Sequence, residues 1–399
     1  MKKSQQSVSK WCVVSIASIP LIMTLGNSML IPVLPVMEKE LSISSTQSGM
    51  LITCYSISSI FLIPIAGYLS DKYGRKSIIL PSLMIVLLGG LICGLAAWKM
   101  SNPYGVLVLG RVLQGIGASG AFPIVLPLVG DLYKNDDEAS ATLGVVETSN
   151  TFGKVISPIV GAALAAVVWF MPFFLISLFS LISFLFVLFC VKEKKKAKSV
   201  RLKKFIENTK RIFRDEGKWL YTLFIVGGYV MLVLFTMQVF LSNHLETQFD
   251  MKGIKKGFVL AIPLLLLCIA SLTSGKLIKG NKMTMKKVIM LGLLLQAAAL
   301  LLFKEYKSIL LLLLVLSTLG IAIGMVLPCL DSLITENVEK SQRGLISSFF
   351  SSARFIGVAV GPPIATIFVK NYFSLSMFIA LILTLYMLYI VFKNVQVTE

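Results

Sequence analysis

The chain has 399 residues, of which 56% are hydrophobic and only 14% charged. Soluble globular chains carry about 25% charged and about 45–50% apolar residues, and a core of this length could not hide the excess from water. That argues against a soluble enzyme, a nucleic-acid binder or a disordered chain, and the net charge of +19 sits between apolar runs, not on a basic face.

A helix needs about 20 mostly apolar residues to cross a bilayer. Twelve stretches qualify: 11–36, 48–70, 77–98, 104–132, 142–166, 168–191, 219–243, 256–279, 285–303, 308–334, 345–369 and 371–393. The first runs on through Pro32 and Pro35 without a small-residue cleavage site, so it reads as a span and not as a signal peptide. Spans five and six divide near Trp169–Pro172, and spans eleven and twelve near Lys370–Asn371. With the N-terminus inside, cytoplasmic segments hold 27 Lys and Arg and outer segments 8, the latter including Lys39, Lys252, Lys255 and Lys256. Positive residues concentrate on the cytoplasmic side, so both termini are expected there. Residues 192–218 carry twelve basic residues against four acids and read as a cytoplasmic linker that meets lipid headgroups.

Few groups offer chemistry. The six cysteines are scattered without a CxxC pair, and His244 is the only histidine, so neither a metal site nor a His-based triad is suggested. Gly153-Lys154 and Gly275-Lys276 lack the Gly-rich run of a phosphate cradle. No cofactor is expected, and transport would draw on an ion gradient or run downhill.

The chain repeats itself. FGKVISPIVG at 152–161 and IGVAVGPPIA at 356–365 share a Gly-x-x-x-small-Pro pattern at Gly153, Ser157 and Pro158 and at Gly357, Gly361 and Pro362. They lie 204 residues apart, in spans five and eleven, and GIGASGAFP at 115–123 loosely echoes GIAIGMVLP at 320–328. Parallel repeats of six helices place a site at the interface of two halves. The fold expected is an all-α integral membrane protein of 12 transmembrane helices in two pseudo-symmetric six-helix bundles, residues 1–191 and 219–399, joined by the 192–218 linker.

Four motifs carry a family likeness. They are Gly67-Tyr68-Leu69-Ser70-Asp71-Lys72-Tyr73-Gly74-Arg75-Lys76 between spans two and three, Arg111-Val112-Leu113-Gln114-Gly115 in span four, Gly153-x-x-x-Ser157-Pro158-x-x-Gly161 in span five, and Ile31-Pro32-Val33-Leu34-Pro35 in span one. In these the sequence resembles the major facilitator superfamily and, more narrowly, its twelve-helix drug:proton antiporters. The resemblance implies a major facilitator fold in a bacterial cell membrane, a monomer, and proton-driven multidrug export. The span-five motif departs from the antiporter form at Ser157, at Ala162 and in the intruding Lys154.

The motifs also have a physical reading. Gly67 and Gly74 permit a tight turn, Asp71 could accept N–H groups at the start of span eleven, and Arg75 could bridge Asp71 to Asp131. Such a clasp, completed by Lys76, would close the cytoplasmic side. Ionisable groups at bilayer depth default to functional candidates. Arg111 is either a staple on backbone carbonyls or a group for proton coupling or substrate, and Arg354 follows the same logic. Glu147 and Lys154 stand seven residues apart on one helix face, about 10 Å along the axis. Glu147, the only acid placed well within a span, is the expected proton carrier, with Asn27, Gln114 and Lys154 beside it in the cavity; span one offers Asn27 where many relatives have an acid, so the coupling site is not simply theirs. Three cavity cations against one acid favour neutral, zwitterionic or anionic amphiphiles over lipophilic cations, and Phe122, Trp169 and Phe173 could add an apolar wall. The leading expectation is a multidrug pump; the alternative is a dedicated exporter of one metabolite, such as an anionic siderophore or sugar-type product. A lipid-acting membrane enzyme is a third class, but it lacks clustered His, Asp or Cys.

Overall fold

The computed structural model describes residues 9–133, 136–193, 214, 217–278, 281–304, 306–338 and 343–395. Most of the basic linker, both ends of the chain and Lys134 lie outside the described residues. Within them, twelve helices are long and apolar enough to cross a membrane. They are α1 Lys10–Leu41, α2 Ser45–Tyr73, α3 Arg75–Lys99, α4 Tyr104–Leu132, α5 Ala141–Val167, α6 Met171–Cys190, α7 Gly217–Phe249, α8 Gly253–Ile278, α9 Lys282–Leu302, α10 Ile309–Ile334, α11 Gly344–Val369 and α12 Phe373–Asn394.

Local chemistry explains where these helices start and bend. In α1 the regular helix stops at Ser28, passes through a 3-10 turn at Ile31–Val33 and resumes at Leu34–Leu41. Pro32 and Pro35 have no N–H to give to the i−4 carbonyl, which accounts for the break. Helix α2 opens on a capping box: Gln47 N–H donates to Ser44 Oγ at 3.2 Å, and Ser44 N–H donates to Gln47 Oε1 at 2.9 Å. Pro362 and Pro363 precede a π-helical turn at Ile364–Val369, which ends α11. Between α2 and α3 the chain turns through Gly74 at φ 101°, a backbone region open to glycine.

Packing pairs repeat in order. Helix α1 packs against α5 and α6, α2 against α4, and α3 against α4 and α6; likewise α7 packs against α11 and α12, α8 against α10, and α9 against α10 and α12. The two sets of six meet chiefly along α2–α11 and α5–α8. Helices α1 and α7 are central, with 83% and 72% of their apolar windows buried, whereas α6 and α12 expose most of theirs, 33% and 22% being buried. An apolar face left outward in this way suits lipid, which solvates it as well as protein does.

Candidate transport cavity and its closures

A central cavity, about 730 Å³ counting its open mouth, lies between the two sets of helices. Helices α1, α5, α7 and α11 supply most of its wall. Two cations, Lys154 and Arg354, stand on that wall with the polar groups Thr24, Asn27, Asn150 and Gln238 and the aromatics Tyr55, Phe122, Phe235 and Phe355. Among the described residues the wall includes no Asp or Glu. Lys154 is 7% exposed, and no hydrogen bond or ion pair of its ammonium is found among the described residues. Arg354 is held by Asp331 of α10, at 3.1 and 3.3 Å from Nη1 to the two carboxylate oxygens, and its guanidinium lies over the Phe350 ring at 5.6 Å.

Glu147 does not pair with Lys154. Its carboxylate accepts from Asn150 Nδ2 at 3.2 Å and from the Thr151 hydroxyl at 3.4 Å, while Asn150 accepts from the Thr24 hydroxyl at 2.5 Å. Seven residues of helix bring Glu147 onto the face of Lys154, yet the intervening Asn150 takes up the carboxylate and keeps it off the wall. Glu147, Lys154, Asp331 and Arg354 still lie within electrostatic reach of one another, two from each set of helices. Of the three aromatics read as cavity wall, Phe122 is there; Trp169 and Phe173 pack elsewhere, Phe173 being fully buried against its neighbours.

Arg111 is fully buried and takes no place on the wall. Its Nε donates to the Leu51 carbonyl of α2 at 2.9 Å, Nη1 to the Gly26 carbonyl of α1 at 3.3 Å and to Gln114 Oε1 at 2.6 Å, and Nη2 to Asn27 Oδ1 at 2.8 Å. The Tyr55 ring covers its face at 4.5 Å. A planar five-donor group suits such a junction of three helices. The geometry is that of the staple, and it orients Asn27, which does line the cavity. The cavity tally therefore loses one cation relative to expectation and keeps two.

At one end of the helices the α2–α3 turn gathers the charges expected of the clasp, all of them within the first set of helices. Arg75 Nη2 meets Asp71 Oδ1 at 2.5 Å and Arg75 Nε donates to Asp131 Oδ2 at 3.1 Å, with Nη1 on Ser70 Oγ at 2.6 Å. Ser348 Oγ of α11 stands 2.8 Å from where a Cβ on Gly67 would be, so the two helices approach closely there and a larger residue would turn the serine hydroxyl aside. No hydrogen bond from the start of α11 to Asp71 is found among the described residues; Arg75 occupies its carboxylate instead. Lys76 Nζ donates to the Leu188 and Val191 carbonyls at the end of α6, both at 2.7 Å. Glu193, absent from the sequence-level candidates, accepts from the N–H groups of Arg75 and Lys76 at 2.8 Å each and so caps α3, where the helix dipole favours an anion. Its place in the run KEKKKAK hid it as one acid among basic residues.

The matched glycine motifs do the same job in each set. Gly153 packs against Leu21 and Thr24 of α1, and Gly161 against Met29 of α1. In the second set Gly357 and Gly361 pack against α7, the latter 2.8 Å from Phe235 Cβ to an added Cβ. Ser157 is buried and donates to the Lys154 carbonyl at 3.0 Å. The prolines face across the interface: an added Cβ on Gly257 of α8 would stand 2.6 Å from the Pro158 carbonyl oxygen, and one on Gly49 of α2 3.5 Å from Pro362 Cβ.

Two residues at the opposite end depart from expectation. Lys256, counted among outer-loop cations, is 2% exposed, and Glu246 lies within α7, which runs past the expected end at 243 to Phe249. Lys256 Nζ meets Glu246 Oε2 at 2.9 Å, and each charge makes the other's burial tolerable. Nearby, the exposed Asp250 pairs with Lys252 at 2.5 Å, and that hydrogen bond and charge hold its carboxyl below the usual carboxylate range.

Comparison with known proteins adds the lineage. The family model of the Major Facilitator Superfamily matches residues 16–362 and again 236–397. The chain belongs to that superfamily. Among superfamily relatives, the Bacillibactin exporter of Bacillus subtilis is 49% identical over 361 residues, 90% of each chain. Multidrug resistance protein 2 of the same organism is 26% identical over 376 residues, covering 92% of this chain and 90% of that one. The crystal structure of the human organic anion transporter MFSD10 (TETRAN) superposes with a TM-score of 0.77 at 17% identity, covering 97% of this chain and 100% of that one, a likeness of fold alone.

Proposed function

We propose that the protein is a secondary active exporter of one small, oxygen-rich anion of the siderophore kind. It would move its cargo by alternating access between the two six-helix sets. The observation that carries this is the cavity wall, which among the described residues has two cations, amide and hydroxyl groups and no carboxylate. Lys154 is the sharper of the two: its ammonium makes no hydrogen bond or ion pair among the described residues, and an anionic oxygen from the cargo would give it a charge-assisted bond. The name carried by the relative at 49% identity supports the same class of cargo. Broad multidrug export, the leading expectation from sequence, has the support of a name that belongs to a more distant relative.

The clasp face would be cytoplasmic, following the bias of Lys and Arg. Energy would come from a proton gradient, with Glu147 and Asp331 the carboxylates near enough to the cavity cations to couple proton and anion. The protein would act as a monomer in a bacterial cell membrane.

The test is secretion from a strain lacking its own siderophore exporter. Expression of the protein should restore bacillibactin in the medium, and Lys154→Met should abolish the restoration while leaving membrane abundance unchanged. Resistance to a broad panel of toxic cations with no restored secretion would reverse the choice between the two readings.

A further inference from the structure

The cavity is roofed on the side away from the clasp. Asn27 and Ser28 of α1 and Leu234, Phe235 and Gln238 of α7 form its wall. One turn further along α7, the Ser242 hydroxyl donates to the Ile31 carbonyl of α1 at 3.0 Å. One turn beyond that stands Glu246, whose Oε1 accepts from Lys39 of α1 at 2.7 Å and whose Oε2 accepts from Lys256 of α8 at 2.9 Å. Lys256 also donates to the Pro32 carbonyl of α1 at 3.2 Å. Gln238, Ser242 and Glu246 follow each other at intervals of four, so they form one stripe on α7.

We propose that this stack is the outer gate of the transport path, closed in this structure. Three of its four bonds join a helix of the first set to one of the second, and the fourth holds Lys256 in place to make its bond. The acceptors on α1 sit where Pro32 and Pro35 break the helix, and Pro35 has no N–H to take the Ile31 carbonyl in the i−4 bond. A buried ion pair adds little to stability, because desolvation offsets its attraction, yet it is held firmly while water is kept out. Once water enters, both charges are solvated and the bonds to α1 have little hold. Such a stack therefore favours two discrete arrangements, dry and joined or wet and parted. The inference rests on the alternating-access reading above and is independent of the cargo.

The test uses protein whose six cysteines are replaced, with Gln238→Cys as reporter on the cavity wall just below the roof. Cells are treated from outside with a thiol reagent that cannot cross the membrane, without cargo. Glu246→Gln strands Lys256 in the closed form and Lys256→Met leaves Glu246 with only the exposed Lys39, and each should raise the labelling rate about tenfold, a shift of about 1.4 kcal/mol toward the open form. The exchanged pair Glu246→Lys with Lys256→Glu should return the rate toward that of the parent. Ser242→Ala, which buries no stranded charge, serves if the charge variants do not reach the membrane, and it should raise labelling severalfold. Labelling at the parent rate in these variants would overturn the gate, and would leave the cargo assignment, read by secretion, untouched.

Discussion

Gly257→Ala tests how closely the two sets of helices must approach. A Cβ at Gly257 would stand 2.6 Å from the Pro158 carbonyl oxygen and 2.9 Å from both the Ala162 Cβ and the Ile159 Cα. Ordinary contact begins at 3.4 Å, so α8 and α5 must part by about 0.8 Å at this crossing. The obstacles are backbone and a Cβ, none of which can swing aside. Overpacking of this kind costs about 1–3 kcal/mol, which changes the ratio of closed to open populations about 5- to 160-fold. The crossing lies toward the same end as the Glu246–Lys256 pair, so the penalty falls on the form closed at that end. Each cycle needs that form, and transport should slow accordingly. Gly275→Ala, on the same helix, is the control, since nothing lies within 4 Å of a Cβ there. It should transport at the parent rate. The assay is the initial rate of bacillibactin uptake into inverted vesicles under an imposed proton gradient, normalised to protein abundance. Equal rates for the two variants would show that close approach at the Pro158 crossing does not limit the cycle.

Other outcomes follow from the same geometry. Asp71→Asn removes one of the two acids that hold Arg75, so transport should fall severalfold at unchanged membrane abundance; parent-level transport would remove the clasp from the cycle. Arg111→Lys can meet only part of the four acceptors, and each buried group left unpaired costs about 1–3 kcal/mol. Membrane abundance and thermal stability should therefore drop, and a stable variant with altered proton dependence would instead favour a coupling role. Glu147→Gln and Asp331→Asn should each flatten the dependence of transport on the imposed pH gradient. If both keep the parent's dependence, the coupling group lies outside this four-charge cluster.

The membrane class, the twelve spans and the repeat were legible because each depends on a long run or a long-range match. A span is declared by about 20 apolar residues whatever surrounds it, and the glycine–proline patterns at 152–161 and 356–365 announce two similar packings that the structure places against α1 and α7. The Asp71–Arg75 contact was legible for another reason: the two stand four residues apart across the turn that Gly74 makes. Glu193 was not legible, since a capping acid in a run of lysines differs from its neighbours only by the helix end it happens to meet.

Charged residues near helix ends were where reading along the chain fell short. Lys256 was read as the outer end of the eighth span and counted with the outer cations, because a lysine is expensive in an apolar setting, and only the fold brings Glu246 to 2.9 Å and makes the burial bearable. Arg111 and Lys154 look alike in sequence, each a cation deep in a span. The fold closes four acceptors and a tyrosine ring around Arg111 and leaves the Lys154 ammonium facing the cavity, with no partner among the described residues. Composition and periodicity decide that a chain enters the bilayer and how often it crosses, because those depend on sums over many residues. Whether a given charge is stapled, paired or free for a ligand depends on which few atoms come within about 3 Å of it, and that is set only when helices distant in the chain pack together.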